Sequence, residues 1–105
     1  MTTKQRAFLK GLAQTTDPIL SLGKASLTPE FTSAVSEALK ARELIKINVL
    51  KNCVDLPDSL AVTLAERTHS EVVQVIGRKI VLYKRNHDNP GIILPGEKPK
   101  KNTKK

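Results

Sequence analysis

Residues 18–50 read PILSLGKASLTPEFTSAVSEALKARELIKINVL, and this stretch decides the fold. PILSL (18–22) is a short apolar run of the kind that forms a buried strand, and Gly23-Lys24-Ala25-Ser26 follows as a loop. Thr28-Pro29-Glu30 is a strong helix start: a threonine whose hydroxyl can cap, a proline at the first helical position, and an acid in the first turn. Phe31, Val35, Ala38 and Leu39 then recur at helical spacing as far as about Arg42. LIKINVL (44–50) alternates, with Ile45, Ile47 and Val49 on one face, so it reads as a strand. The whole stretch is a strand–helix–strand unit, which calls for parallel strands.

Outward from this unit the same logic continues. On the N-terminal side, Thr2 or Thr3 can cap a helix over residues 4–13, with Phe8, Leu9, Leu12 and Ala13 on one side, and Asp17-Pro18 ends it. On the C-terminal side, Asp55 or Asp58 beside Pro57 can start a third helix ending near Arg67 or Thr68, with Leu60, Ala61, Leu64 and Ala65 buried. EVVQVI (71–76) and IVLYKR (80–85) are strands joined by Gly77-Arg78-Lys79 at hairpin spacing. The expected architecture is a single compact α/β domain, α-β-α-β-α-β-β, with a four-stranded mixed sheet whose first three strands run parallel and whose last returns antiparallel. Residues 86–105 are polar and rich in Pro, Gly and Lys; most of this segment is expected to be disordered, with Ile92-Ile93-Leu94 packing locally. The domain is bounded at residues 1–97, leaving 98–105 as a lysine-rich tail.

The chain has 105 residues and a net charge of +8, but five of those charges are the lysines of residues 98–105. The body is therefore only mildly basic, and a polyanion such as nucleic acid is the natural partner. Three aromatic residues in total leave little surface for stacking bases and require an aliphatic core. A single cysteine and two separated histidines exclude an internal disulfide and argue against a structural zinc site. No cofactor motif is present: the loop at 23–26 lacks the G-x-x-x-x-G-K-[ST] pattern of a phosphate-binding loop. No apolar run suggests a signal peptide or a membrane span, so no membrane partner is expected and a cytoplasmic location is.

The expected topology gathers basic residues. If the first three strands are parallel, their carboxyl ends share one end of the sheet. Lys24 follows the first strand, Lys51 closes the second, and Arg78 and Lys79 follow the third. The N-terminus of the second helix opens there too, with N–H groups and a dipole that favour an anion. A first helix lying antiparallel to the first strand would add Lys4 and Arg6. Such a convergence is a phosphate-binding surface, in keeping with ligand binding at strand carboxyl ends in open α/β sheets.

These segments carry a family resemblance. LGKASLT (22–28) resembles the signature of the CRM (chloroplast RNA splicing and ribosome maturation) domain, a G-K-x-G loop followed by Leu-Thr. ELIKINV (43–49), VQVIGRKIVLYKR (73–85), KGLA (10–13), Asn89-Pro90 and Leu94-Pro95 are similar to further segments of that family. The resemblance covers about residues 2–95 and is closest to the stand-alone, YhbY-like bacterial members. It implies a domain similar to the C-terminal domain of translation initiation factor three. It implies RNA binding by the glycine loop, here Gly23, Lys24, Ala25 and Ser26, and association with ribosomal RNA of large-subunit precursors. One departure stands out: Ser26 occupies the place of the second loop glycine, where Gly would permit positive φ or close backbone approach. Ser26 could offer its hydroxyl to a phosphate or cap the helix.

Rival readings are weaker. Cys53 with His69 or His87 would be a nucleophile–base pair, but Cys53 reads as a small structural residue, His69 as a turn residue and His87 as part of a polar tail, so no enzyme is expected. A ribosome-associated protein-interaction adaptor would rest on Ile92–Leu94, unless these residues merely cover the core. DNA reading is disfavoured because no helix has a basic and amide face for a major groove. The oligomeric state is not legible; a monomer is the working expectation.

Overall fold

A computed structural model describes residues 1–88 and 90–96. The element order is α1 (Thr3–Ala13), β1 (Leu20–Leu22), α2 (Pro29–Arg42), β2 (Leu44–Val49), α3 (Pro57–Thr68), β3 (Glu71–Ile76) and β4 (Lys79–Tyr83). The four strands form one sheet in the order β1-β2-β4-β3, with β1 parallel to β2 and β4 antiparallel to both neighbours. β1, β2 and β3 therefore share a direction as expected, but β4 is inserted between β2 and β3. The expected lysine-rich tail at 98–105 lies outside the described residues.

Alternation along β2 sorts the sheet into two faces. Ile45, Ile47 and Val49 join Leu22, Ile80 and Leu82 against Val35 and Leu39 of α2 and Leu60, Ala61 and Leu64 of α3, forming the main core. Leu44, Val81 and Tyr83 face the other way and pack with Val73 against Leu9 and Ala13 of α1, closed by Leu94. A register shift between Val72 and Val73–Gln74 opposite β4 explains why EVVQVI does not alternate cleanly. The extra residue lets Val72 and Val75, three apart, both lie against the main core while Val73 serves the second one.

The helix starts follow their sequence signals. Thr2 caps α1 in a reciprocal box with Gln5, and the Thr28 hydroxyl accepts the Phe31 N–H at 3.0 Å. α3 departs from expectation: neither Asp55 nor Asp58 caps it. Leu56 holds the N-cap position without a side-chain hydrogen bond, and Asp58 lies inside the first turn. Phe8 and Leu12 stay well exposed, because α1 covers only part of its sheet face through Leu9 and Ala13.

The segment after β4 corrects a second expectation. Residues 86–88 and 90–96 are not a loose tail. The buried carboxylate of Glu43 accepts backbone N–H groups from Asn86 (2.9 Å), Gly91 (2.7 Å) and Ile92 (3.0 Å). Its own backbone carbonyl accepts the Lys84 N–H at 2.8 Å. One carboxylate thus satisfies three part-buried donors, and the chain they belong to brings Leu94 against Leu9 and Ala13 of α1.

Candidate nucleic-acid interface

Three turns stand side by side at the end of the sheet where β1, β2 and β3 finish. In the first, the Ser26 N–H closes on the Gly23 carbonyl at 2.9 Å, leaving Lys24 and Ala25 exposed at the tip. In the second, the Cys53 N–H closes on the Leu50 carbonyl at 3.1 Å, with Lys51 and Asn52 at the tip. The third joins β3 to β4 through Gly77, at φ +56°, and Arg78. They are bonded into one unit: Leu50 N–H donates to the Leu22 carbonyl (2.8 Å), Val49 N–H to the Arg78 carbonyl (2.7 Å), and the Arg78 guanidinium to the Leu50 carbonyl (3.4 Å). Lys79 donates to the Asn48 side chain at 3.0 Å. Lys24, Lys51, Arg78 and Lys79 are all exposed here, on short turns whose backbones are fixed by these bonds.

The Ser26 side chain does not cap α2, which Thr28 caps. The Ser26 hydroxyl donates to Asp55 Oδ2 at 2.5 Å, and the Cys53 thiol donates to the Ser26 Oγ at 3.6 Å. These contacts tie the first turn to the loop before α3. Ser26 has φ +54°, so the place where a second glycine was expected is indeed a left-handed one, held by a residue that adopts it at some cost. Gly23 is the opposite case. It is absent from the positive-φ positions, and a Cβ there would make ordinary contacts, 3.5 Å to Leu50 and 3.6 Å to Asn52. Nothing among the described residues requires glycine at 23.

Two parts of the expected surface are not found there. Arg6 donates to the carbonyl of Val72, at the start of β3, and Gln5 to the carbonyl of Pro95, so the first turns of α1, with Lys4 and Arg6, lie toward the far end of the sheet. The antiparallel placement fails because α1 is oriented by burying Leu9 and Ala13 against Val73, Val81 and Tyr83. Residues 14–19 then supply enough chain to reach β1 from there. The N-terminus of α2 is also less open than expected. Pro29 has no N–H, Thr28 takes that of Phe31, and Glu30 places a carboxylate beside the one that remains.

The residues of the rival enzyme reading are dispersed. Cys53 is buried beside Ser26, whereas His69 and His87 line a cleft of about 320 Å³ at the far end, with Gln5, Glu71 and Tyr83. His69 is the left-handed C-cap of α3. Burial, and secondarily the Glu43 carboxylate, push the Tyr83 hydroxyl above its usual range, so it stays neutral. No group of three or more His, Cys, Asp or Glu among the described residues could hold a metal. No helix among them is long and apolar enough to cross a membrane.

A small α/β layer structure that offers fixed basic turns at the strand carboxyl ends, with Cys53 held apart from His69 and His87, has the form of a polyanion-binding module. Comparison with known proteins gives the family: residues 1–84 match the CRS1/YhbY (CRM) domain, and the chain belongs to that family. It is 41% identical over 95 residues to the Bacillus subtilis protein named probable RNA-binding protein YqeI, spanning 90% of this chain and 99% of that one. It is 33% identical over 88 residues to a Haemophilus influenzae protein named RNA-binding protein, covering 84% and 89% of the two chains. The solution structure of SAV1595 from Staphylococcus aureus superposes with a TM-score of 0.77 at 43% identity, over 90% of this chain and 99% of that one. Family and relatives are RNA-binding proteins, not enzymes.

Proposed function

We propose that this protein binds RNA through the Gly23–Ser26 turn and the adjacent Lys51, Arg78 and Lys79, and that it acts in the cytoplasm on ribosomal RNA during maturation of the large ribosomal subunit. The observation that carries the reading is the set of three mutually hydrogen-bonded turns that present Lys24, Lys51 and Arg78 together. Such an array suits successive backbone phosphates, because charges held on fixed turns lose little freedom on binding. Gly23 adds support: the described residues have no need of glycine there, whereas a ligand backbone approaching the turn would. The expectation of a ribosomal target rests on the resemblance of the loop and hairpin segments to ribosome-associated members of the family.

The adaptor reading keeps only Ile93 as exposed apolar surface, since Leu94 is buried in the second core with Ile92 packed against it. The test is to crosslink the protein to RNA in cells, sequence the captured RNA, and map the crosslinked residues. Large-subunit precursor RNA joined at 23–26, 51 or 78–79 is the expected result. Capture of other RNA classes alone would remove the ribosomal role, and crosslinks confined to the far end would remove the site.

A further inference from the structure

The turn end carries more than charge. The loop that leads from β2 to α3 leaves Leu50 at 40%, Val54 at 82% and Leu56 at 70% exposure, the last two being the most exposed large apolar side chains among the described residues. The loop runs alongside the basic turn. Leu50 Cδ1 lies 3.5 Å from where a Cβ on Gly23 would be, and Cys53 and Asp55, which flank Val54, both reach the Ser26 hydroxyl. Leu56 also sits where a helix gains from Ser, Thr, Asp or Asn: it is the N-cap of α3 and makes no capping bond. A leucine there forgoes capping stability and exposes an apolar side chain, two local costs at one residue beside the proposed site.

We propose that Leu50, Val54 and Leu56 form an aliphatic seat for unpaired RNA bases, so that the protein selects single-stranded over duplex RNA. The inference rests on the RNA-binding reading above and narrows it. The occupant follows from the surroundings. A ligand that meets Lys24, Lys51 and Arg78 with anions while covering Val54 and Leu56 must carry phosphates and apolar faces side by side. Unpaired nucleotides do; an A-form duplex hides its base faces in the stack and presents only polar base edges, hydroxyls and phosphates. Aromatic stacking is not the means here, since Tyr83 is buried far from these turns, Phe31 packs on the main core and Phe8 lies on α1.

The experiment compares three probes at one salt concentration: a short single-stranded RNA, the duplex of the same length, and the single strand with its bases removed. The test variant carries Val54→Ser and Leu56→Ser together. Both residues are exposed, and serine at 56 supplies the missing cap, so the variant should melt no lower than the parent. The expected result is that the parent prefers the single strand by about tenfold over the other two probes. The variant should lose about that factor on the single strand alone, equivalent to about 1.4 kcal/mol, with the salt dependence unchanged. A parent that binds all three probes equally, or a variant that matches the parent on the single strand, would overturn this proposal and leave RNA binding standing. A parent that binds none of them would overturn both.

Discussion

The two ends of the sheet handle charge in opposite ways. At the far end the Glu43 carboxylate is buried and consumed by three backbone N–H groups of its own chain, so it contributes to the fold and offers nothing to a partner. At the turn end Lys24 and Lys51 are exposed on fixed backbone, with no partner among the described residues, and the polar groups that are engaged, Arg78 and Ser26, serve to lock the turns together. Both ends are ordered by hydrogen bonds, but the carboxylate that orders the far end is spent on the chain, whereas Lys24 and Lys51 at the turn end stay available. A charged side chain marks a binding surface when its own chain has not already satisfied it.

That contrast can be broken by mutation, and the largest effect belongs to the far end. Glu43→Ala strands three donors at about 1 kcal/mol each, so stability should fall by about 3 kcal/mol and Tm by roughly 15 °C. RNA affinity, measured well below the transition, should change by no more than about twofold. A Glu43→Ala protein that melts normally would mean the carboxylate is not the clasp for Asn86, Gly91 and Ile92.

Lys24→Glu should do the reverse. A carboxylate near the start of α2 is tolerated, so the melting curve should shift by less than about 1 kcal/mol, yet affinity should drop by about tenfold or more as attraction becomes repulsion. Lys40→Glu, on an exposed position of α2, changes net charge equally and should cost about threefold at most. Equal losses in the two variants would show that only total charge matters. The salt dependence sharpens the same point. If Lys24, Lys51, Arg78 and Lys79 each neutralise one phosphate of a single strand, the slope of log K against log salt should be near −3, and Lys51→Ala should reduce it by about 0.7. A slope near zero would be incompatible with the basic turns as the site.

The smallest effects concern the two ends of the first turn. Gly23→Ala should leave Tm unchanged or slightly raised, by up to about 1 kcal/mol, because the backbone there is not left-handed and there is room for a methyl group. Any loss of RNA affinity in that variant would then report ligand approach rather than misfolding. Ser26→Gly relieves a left-handed serine but removes its bond to Asp55, two terms of about 1 kcal/mol each that nearly cancel, so calorimetry should find a change within about 1 kcal/mol. A large destabilisation would show that the Ser26–Asp55 contact holds the turn against more strain than its φ suggests.

Much of the fold was legible in local signals. Thr28-Pro29-Glu30 fixed the start of α2 and the alternation of LIKINV fixed the face of β2, because caps and periodicity act over a few residues. The three strand-end turns, and hence Lys24, Lys51, Arg78 and Lys79, followed from strand direction alone. Other features had no local signal. Glu43 looked like one more surface acid at a helix end; its role depends on amides 43 to 49 residues away. The extra residue in β3 appears only against β4. Leu56 as an uncapped helix start was masked by Asp55 and Asp58, which flank it and are the better cap formers. The exposed seat at Val54 and Leu56 was missed for a related reason: apolar residues beside a proline read as loop filler until burial is known.

The amino-acid sequence by itself determined the elements, their order, the direction of the strands and the basic character of the turns, since each depends on short-range sterics, capping and periodicity. Only the tertiary structure decided where α1 lies and which charges remain available. Arg6 and Lys24 are both exposed-looking cations in sequence. The packing of Leu9 and Ala13 carries Arg6 to the Val72 carbonyl at the start of β3, while the short turn after β1 leaves Lys24 open to a ligand. Availability of a charge is a property of what surrounds it in space, and burial of the apolar face of α1 dominated over every preference written along the helix itself.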